Sequence, residues 1–423
     1  MDFRYILFFL IALDLNLFDL IDPATFRLFG IISYYDLKFL IIGTIACISC
    51  MRMQFKHLKV RNVSLVVIFT ILAIMSAASG AVSYNQSLLD GLVAQREWFA
   101  GVMLIIPVSI WISYGYVSKT DILNIVKKCA RIYAAICIAQ YIFGESVVFT
   151  YASVGERYGE ARYYLNINYF IFSFSIIVNE LYNSAHNSKV LLFKIFEITV
   201  YAFIIIWITK GRMATVALLL SCSCIFIFRG HVDWRKRILI IELVVLLIIA
   251  FGYSTVGKDI LNTLNASSSE ISTLDIRDFE REYYTNRINS SLRTQIFGYG
   301  YPNANNSFAL RISNPIWFGH GDAKFYLSDV GITGVAFEYG AIGVLVLVAT
   351  TIYMIYKSIS MYISTHTSIY IQYLVYDTIT WVSLVPALFD TSFVAYIMIC
   401  VILSDESLPD EMYKTTTFNK GLL

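Results

Sequence analysis

Long apolar stretches separated by short polar segments make up most of the sequence. Most of these stretches contain roughly 17–22 residues, the length that an α-helix needs to cross a hydrocarbon core about 30 Å thick. The pattern therefore predicts about twelve membrane-spanning helices. The predicted spans lie near 5–20, 36–51, 62–80, 98–115, 131–148, 165–181, 190–208, 213–228, 238–255, 331–356, 368–387 and 390–404.

Composition narrows the class of protein further. Of the 423 residues, 58% are hydrophobic and only 15% are charged, whereas a soluble protein of this size has about a quarter of its residues charged. The net charge of +2 gives no indication of binding to nucleic acid. We therefore predict an all-α polytopic integral membrane protein in which residues 1–423 form a single transmembrane domain.

The distribution of Lys and Arg predicts the orientation of the chain. Alternate polar segments carry about 18 cations on one side of the predicted membrane and about seven on the other, leaving out the longest loop. Short loops rich in Lys and Arg lie in the cytoplasm. Both termini are therefore predicted to be cytoplasmic, including the tail 405–423. The long loop near 256–327 is then extracytoplasmic.

Three predicted extracytoplasmic segments depart from this trend because they carry cations close to the bilayer. Their cations are Arg96, Arg157 and Arg162, and Lys210 and Arg212. Such groups suit an anionic headgroup such as a lipid pyrophosphate, since the planar guanidinium of Arg donates two hydrogen bonds to a phosphate. Arg212 also begins a predicted helix, whose free backbone N–H groups add to an anion site. The alternative is an ordinary helix end whose cation extends to water.

The long loop is predicted to be partly helical. Residues 272–275 resemble a capping box, and the following segment, DIRDFEREYYTNRI, predicts an amphipathic helix. Arg277 and Arg281 lie one turn apart on one face of that helix. The alternative is a solvated helix whose arginines are balanced by its own acidic residues. A long structured loop of this kind usually has a function.

The end of the loop, GHGDAKFYLSDVGITGVAFEYGAIG (319–343), combines glycines with ionisable groups. The glycines predict close helix packing where the chain re-enters the membrane; they are Gly331, Gly334, Gly340 and Gly343. The ionisable groups are His320, Asp322, Asp329 and Glu338. His320 is a candidate proton acceptor because imidazole titrates near neutral pH. A hydrogen-bonded structural histidine is the alternative.

Several ionisable residues fall inside predicted spans, where they are costly and therefore candidates for function. They are Asp14, Lys194, Glu197, Glu242 and Asp377. Lys194 and Glu197 are three residues apart on one predicted helix, so they could simply pair with each other. Asp377 has no obvious local partner and could line a cavity.

These features together resemble the bacterial O-antigen polymerase and O-antigen ligase superfamily. Ligases of that superfamily carry an HN…E-x-G-x-x-G pattern at the end of a large outer loop. Here His320 precedes Asp329-Val-Gly331-Ile-Thr-Gly334 at a similar spacing, with Gly321 in place of the Asn and Asp329 in place of the Glu. A second match, Glu338-Tyr-Gly340-Ala-Ile-Gly343, keeps the Glu. The stretch SDVGITGVAFEYGAIG is more similar to polymerases of the Wzy type.

The resemblance implies a GT-C-like glycosyltransferase in the bacterial inner membrane, with the loop 256–327 in the periplasm. Such a polymerase joins undecaprenyl-pyrophosphate-linked oligosaccharides at the periplasmic face, without a cofactor or metal ion. Its expected partners are membrane lipids, a chain-length regulator and a flippase. The residues expected to contact pyrophosphate are Arg157, Arg162, Lys210 and Arg212, followed by Arg277, Arg281 and Arg96. His320 is the expected base, with Asp329 as its orienting partner or substitute.

Two other functions stay open on the sequence. A ligase would transfer the finished polymer onto a lipopolysaccharide core, using the same class of donor. A flippase or secondary transporter would catalyse no bond formation. Transporters of this size usually contain two internal repeats with matched broken helices, and no clear repeat is visible in this chain.

Overall fold

The computed structural model shows a mostly α-helical protein with three short two-stranded sheets in its described part. It describes residues 2–52, 60–144, 148, 150–152, 154–157, 160–183, 188–228, 273–317, 323–390 and 394–404. Within these ranges, five helices are long and apolar enough to cross a membrane. They are Tyr34–Met51, Asn62–Tyr84, Arg96–Ser113, Lys189–Ile208 and Ile332–Thr365.

The elements of the first half are α1 (Phe3–Asp14), α2 (Asn16–Asp19), β1 (Arg27–Leu28), β2 (Ile32–Ser33), α3 (Tyr34–Arg52), α4 (Val60–Tyr84), α5 (Leu88–Ala94), α6 (Arg96–Ser113), α7 (Lys119–Phe143), β3 (Val154–Arg157) and β4 (Glu160–Tyr163). They continue with α8 (Asn168–Asn183), α9 (Ser188–Phe203), a π-helical turn (Ile204–Ile208) and α10 (Arg212–Phe228).

The elements of the second half begin with the helices of the loop: α11 (Thr273–Ile288), α12 (Leu292–Phe297) and α13 (Ser307–Ser313). Then follow β5 (Ile316–Trp317), β6 (Ala323–Lys324), a 3₁₀ turn (Leu327–Asp329), α14 (Ile332–Thr365), α15 (Ile369–Thr380), a second 3₁₀ turn (Ala387–Phe389) and α16 (Val394–Ser404). The helix predicted within the long loop is confirmed as α11.

Helices occupy most of the predicted spans, and the span near 238–255 lies outside the described residues. Two spans are only partly helical: α1 ends at Asp14, within the span near 5–20, and α15 ends at Thr380, within the span near 368–387. The agreement follows from local sequence, because uninterrupted apolar runs of this length favour helices whose backbone groups bond to one another. Local capping sets several helix starts. Ser87 and Asp90 form a capping box at α5, and Ser118 and Asp121 form another at α7. The full number of spans stays a prediction.

The buried core lies between α6, α7, α8 and α16. Every residue of α16 is buried, as expected for a helix that is apolar on all sides. The α6 helix packs against α3, α4 and α16. At its start, the Trp98 indole N–H donates to the Leu388 carbonyl oxygen over 2.9 Å, and the Trp98 ring stacks on Phe389. The connector before α16 is thereby joined to the beginning of α6.

One end of the helical bundle holds α5, the β3–β4 hairpin, the loop segments 298–317 and 323–331, and the connector 381–390; we call this end the loop face. Hydrogen bonds between these connections hold the face together. The Asn303 amide donates to the Asp90 carbonyl oxygen, and the Asn168 amide donates to the Asp390 carboxylate. The predicted extracytoplasmic cations Arg96, Arg162 and Lys210 also lie in or beside these connections.

The opposite end of the bundle contains ion pairs between helices. Arg131 on α7 forms a bidentate salt bridge with Glu197 on α9, with N–O distances of 2.7 and 2.9 Å. Lys127 on α7 and Lys194 on α9 both pair with Glu180 on α8. Glu197 is thus paired across helices with Arg131, and Lys194 with Glu180. These pairs hold together helices that are separated in sequence.

The fold explains the buried charge of Asp377, which the sequence left without a partner. Its two carboxylate oxygens accept hydrogen bonds from the Ala387 backbone N–H over 2.8 Å and from the Trp381 indole N–H over 3.1 Å. The side chain therefore fastens the connector 381–390 to the end of α15. This connector forms one wall of the site described next.

Candidate functional site

A cavity of about 530 Å³ opens at the loop face. It lies where the start of α6, the loop 301–305, the end of α13, the first turns of α14 and the connector 385–390 meet. Its polar lining includes Arg96, Glu97, Asn303, Ser313, Glu338 and Asp390. Ligand-binding pockets usually measure about 300–1,000 Å³ and hold a few convergent polar groups. The cavity is therefore the candidate functional site of the described protein.

The glycine- and asparagine-rich loop 298–306 is held against α4 by polar side chains. The Ser76 hydroxyl accepts a hydrogen bond from the Tyr301 backbone N–H over 2.9 Å. Tyr84 donates to the Gly300 carbonyl oxygen over 3.1 Å, and the Gln86 amide donates to the Tyr301 carbonyl oxygen over 3.0 Å. These bonds place Tyr301 and Asn303 on the cavity wall.

The α14 helix is broken at Gly340, next to the cavity. Gly340 has φ +66° and ψ −167°, a conformation that L-residues with a side chain rarely adopt. A Cβ atom at this position would overlap the Ile296 carbonyl oxygen at the end of α12. Another at Gly331 would overlap the Trp381 carbonyl oxygen. The close packing predicted for the glycines of the re-entry segment is therefore confirmed at these two positions.

Groups from the loop and from α4 bond to the carbonyl oxygens that the break exposes. The Tyr299 backbone N–H donates to the Phe337 carbonyl oxygen over 2.6 Å, and the Ser76 hydroxyl donates to the Glu338 carbonyl oxygen over 3.1 Å. Glu338 stands two residues before the break and lines the cavity. The break therefore determines the position of this carboxylate.

Behind the cavity, a chain of buried charges connects three helices. The Lys38 ammonium on α3 lies 2.7 Å from the Asp14 carboxylate on α1 and 3.6 Å from the Glu97 carboxylate on α6. The Tyr169 hydroxyl donates to Asp14 over 3.0 Å. A buried charge is tolerated when it is paired and hydrogen-bonded. Lys38 therefore neutralises Asp14 and lies beside Glu97, which faces the cavity.

Arg96 lies at the cavity and is already paired. Its Nε lies 2.8 Å from an Asp36 carboxylate oxygen, and an Nη donates to the Val93 carbonyl oxygen over 2.8 Å. The guanidinium also lies 5.9 Å from the centre of the Tyr35 ring. Arg96 therefore lines the cavity with part of its charge balanced by Asp36, and its contact with a pyrophosphate stays a prediction.

The β3–β4 hairpin brings Arg162 to the connection before α10. Arg162 lies on β4, and its Nε donates to the Thr209 carbonyl oxygen over 2.9 Å. Lys210 follows directly, with φ +48° and only 2% of its surface exposed. A π-helical turn precedes this connection, a distortion that is frequent at functional sites. Arg157 lies on β3 and Arg212 begins α10, but the placement of their side chains lies outside the described part.

The loop helix α11 is docked onto the cavity wall. Arg281 pairs with Asp278 over 2.9 Å and donates to the Val382 carbonyl oxygen over 2.7 Å, which links α11 to the connector 381–390. Glu280 is buried and accepts a hydrogen bond from the Tyr326 backbone N–H over 3.3 Å. Arg277 lies one turn from Arg281, as predicted.

The pKa of Glu280 is raised to about 7, chiefly by burial and to a smaller extent by the nearby Asp329 carboxylate. The Tyr326 N–H and the cations Arg277 and Arg281 act in the opposite direction. Tyr326 lines the cavity, so this titratable group lies directly behind the wall of the site.

The structure describes one of the two residues that were predicted to act as base and orienting partner. His320 lies outside the described residues. Asp329 ends the 3₁₀ turn that precedes α14, and its neighbour Ser328 lines the cavity. The catalytic roles of both residues stay predictions.

Several residues of the cavity were not predicted as site residues. Glu338 was visible in the sequence through its E-x-G-x-x-G spacing. Glu97 and Asp390 carried no motif, and Ser313 lies in the long loop without any local signal. Only the fold brings these four residues to one cavity.

No protein-family model matches the chain, and no curated protein matches it significantly.

Proposed function

We propose that the protein is a polysaccharide repeat-unit polymerase of the bacterial inner membrane. It would transfer an oligosaccharide from undecaprenyl pyrophosphate to a sugar hydroxyl on the next lipid-linked unit, at the periplasmic face. The observation that carries the proposal is the cavity at the loop face, which Glu338 lines together with Ser313 and Asn314. The α6 helix begins at this cavity and ends near the cation-rich segment 119–131, which the charge pattern assigns to the cytoplasm.

The proposed step needs a proton acceptor and a site for a charged leaving group. The acceptor hydroxyl attacks the anomeric carbon, a new C–O bond forms, and the bond from that carbon to the pyrophosphate oxygen breaks. The hydroxyl proton passes to a base, and the electron pair leaves with the lipid pyrophosphate. Glu338 is suited to accept the proton because its carboxylate faces the cavity. His320, with Asp329, is the other candidate for this role.

We place the pyrophosphate beside the β3–β4 hairpin, where Arg157, Arg162, Lys210 and Arg212 come from neighbouring segments. The hydrogen bond from Arg162 to Thr209 joins two of these segments. Fixed cations and the free N–H groups at the start of α10 stabilise the charge that develops on a leaving phosphate. Arg277 and Arg96 are secondary candidates, and Arg281 already has partners in Asp278 and Val382.

A transporter of lipid-linked oligosaccharides is the second candidate. The break of α14 at Gly340, beside a polar cavity, favours a transporter. Discontinuous helices of this kind form substrate sites in secondary transporters. A ligase would share the donor and the chemistry of the polymerase, and it differs in the acceptor that it uses.

Surface polysaccharide profiles of a deletion strain separate these functions. The strain would be complemented with wild type, Glu338→Gln, His320→Ala or Arg212→Ala, with protein levels measured by immunoblot. Glu282→Gln is the matched control, because Glu282 is exposed on α11. A polymerase predicts that the deletion strain retains single repeat units on the lipopolysaccharide core and loses the ladder. Glu282→Gln should restore the ladder, and Glu338→Gln should not.

The other candidates predict different profiles in the same experiment. Polymer that accumulates on the lipid carrier without attachment to the core would indicate a ligase. Loss of all surface repeats, with single lipid-linked units accumulating in the cytoplasmic leaflet, would indicate a transporter. An unchanged ladder in the deletion strain would contradict all three functions.

A further inference from the structure

The charged side chains that line the cavity are mostly acidic, which limits the ligands that it can bind. Three carboxylates line it, from Glu97, Glu338 and Asp390, whereas Arg96 is its one cationic lining residue within the described part of the chain. Arg96 is already paired with Asp36 over 2.8 Å. The neighbouring cations do not reverse this balance. The single charge of Lys38 is shared between Asp14 at 2.7 Å and Glu97 at 3.6 Å. Lys324 is not among the lining residues and lies 5.5 Å from the centre of the Tyr326 ring.

An unpartnered hydroxyl in the same wall indicates that the cavity receives a polar ligand. Ser313 is fully buried and lines the cavity, and its hydroxyl has no hydrogen-bond partner among the described residues. Buried hydroxyl groups normally have partners because leaving one unpaired is unfavourable. A hydroxyl or amide group of a ligand in the cavity would supply the missing partner.

The position of Ser313 is fixed by its surroundings. The Tyr284 hydroxyl donates to the Ser313 carbonyl oxygen over 2.6 Å, and the Tyr283 hydroxyl donates to the Ile312 carbonyl oxygen over 3.1 Å. Two tyrosines of α11 therefore hold the end of α13. The Ser313 side chain is thus part of a built wall.

The rest of the lining suits a sugar ring. Asn314 lines the cavity with a side-chain amide, which can both donate and accept hydrogen bonds. The Asn303 amide already donates to the Asp90 carbonyl oxygen and accepts from the Asn305 backbone N–H. Tyr301 and Tyr326 present rings to the same space. A sugar has hydroxyl groups at its edge and C–H groups on its faces, so amides and aromatic rings contact complementary parts of it.

From these observations we infer that the cavity binds a sugar that is neutral or carries an amino group, and that it excludes sugars with a carboxylate. A uronic acid would place its carboxylate beside the acidic side chains of Glu97, Glu338 and Asp390, where like charges repel each other. The inference rests on the proposed function for the identification of the ligand as a sugar. It adds the charge class of the sugar that occupies the cavity.

Binding to the full-length protein in nanodiscs tests this inference without requiring polymerisation. The probes are three disaccharides of similar size: di-N-acetylchitobiose, which is neutral; the glucosamine disaccharide, which is cationic; and digalacturonate, which is anionic. Dissociation constants would be measured by saturation-transfer NMR. We expect the anionic probe to bind at least about tenfold more weakly than either of the others at low ionic strength.

Variants identify the cavity as the place of binding. Ser313→Ala should weaken the neutral probe about threefold to tenfold, because it removes one hydrogen bond. Glu338→Gln should reduce the discrimination against digalacturonate, because it removes one of the repelling charges. Glu282→Gln on the exposed side of α11 should change neither quantity.

Each remaining outcome overturns the inference. These outcomes are equal or tighter binding of digalacturonate, neutral-probe binding that is insensitive to Ser313→Ala, and no binding of any probe. Failure of the proposed function is a separate result. Selective sugar binding by a protein that does not polymerise would support the inference and contradict the polymerase.

Discussion

The Lys38 ammonium lies 2.7 Å from the Asp14 carboxylate, and the two side chains are only 1% and 0% exposed. This pair joins α3 to α1 directly behind the candidate site. Removing one partner leaves an uncompensated buried charge, which costs about 3–5 kcal/mol, whereas removing both costs far less. We therefore expect Asp14→Asn or Lys38→Met alone to lower the thermal unfolding midpoint in detergent sharply. The double variant should recover much of that loss.

The exposed pair of Arg4 and Asp2 provides the control for this prediction. Because water screens an exposed pair, Arg4→Ala should change the midpoint little. Additive losses in the Asp14 and Lys38 double variant would contradict the assigned pairing.

The break of α14 depends on the absence of a side chain at Gly340. A Cβ atom there would meet the Ile296 carbonyl oxygen, and φ is +66°. Gly30 has a similar φ of +74°, but nothing lies within 4 Å of the position that its Cβ would occupy. Gly30→Ala should therefore lower the free energy of unfolding by only about 1–2 kcal/mol, the cost of a side chain on a backbone with positive φ. Gly340→Ala should cost clearly more and should separate α12 from α14.

Hydrogen exchange by mass spectrometry measures this effect locally. Peptides covering 292–301 should lose protection in Gly340→Ala and keep it in Gly30→Ala. Equal protection in the two variants would show that the close approach at Gly340 does not hold the loop.

The loop helix α11 should respond to pH through Glu280, whose pKa is raised to about 7 by burial. Since the folded-state pKa lies above the ordinary value of 4.5, folding favours the protonated carboxyl group. The stabilisation is complete below pH 4.5 and is lost as the pH rises through about 7. The total change is at most about 3 kcal/mol.

Exchange protection of residues 273–288 and 323–329 should therefore decrease between pH 6 and pH 8, after correction for the intrinsic exchange rate. Glu280→Gln should remove most of this dependence, because the amide does not titrate. Asp329→Asn should shift the transition to lower pH, because the Asp329 charge contributes to the raised pKa. A pH dependence that is unchanged in Glu280→Gln would assign it to another group.

The cations beside the hairpin should act on the lipid-linked substrate. We expect Lys210→Gln and Arg212→Gln to reduce the rate of polymerisation about tenfold to a hundredfold, since each removes a charge that would hold the pyrophosphate. Lys128→Gln is the matched control, because Lys128 is exposed on α7 at the opposite end of the bundle. Initial rates at several concentrations of lipid-linked substrate provide the comparison. Full activity of Arg212→Gln would mean that these cations are ordinary helix ends.

The sequence predicts those features that depend on neighbouring residues. Apolar runs locate the helices, and the glycines of the re-entry segment predict the close approaches at Gly331 and Gly340. Spacing along one predicted helix also suggested that Lys194 and Glu197 pair with each other. Lys194 instead pairs with Glu180 and Glu197 with Arg131, because partners on adjacent helices are closer in the fold.

The candidate site depends on contacts between distant segments, so the sequence predicts only parts of it. Arg96 was predicted as a pyrophosphate contact and lines the cavity, and Glu338 was visible in a short motif. Asp14 was noted as a charge inside a predicted span, but nothing in the neighbouring sequence indicates that it meets Lys38. Ser313 is an ordinary serine until α11, α13 and α14 enclose it.

Reconstitution in liposomes tests the polymerase most directly. Purified protein would be supplied with lipid-linked repeat units, and the length of the lipid-linked glycan and the released undecaprenyl pyrophosphate would be measured together. We predict one released carrier for each repeat unit added, with Glu282→Gln active and Glu338→Gln at least about a hundredfold slower. Movement of intact lipid-linked units across the bilayer, with no lengthening and no released carrier, would contradict the polymerase.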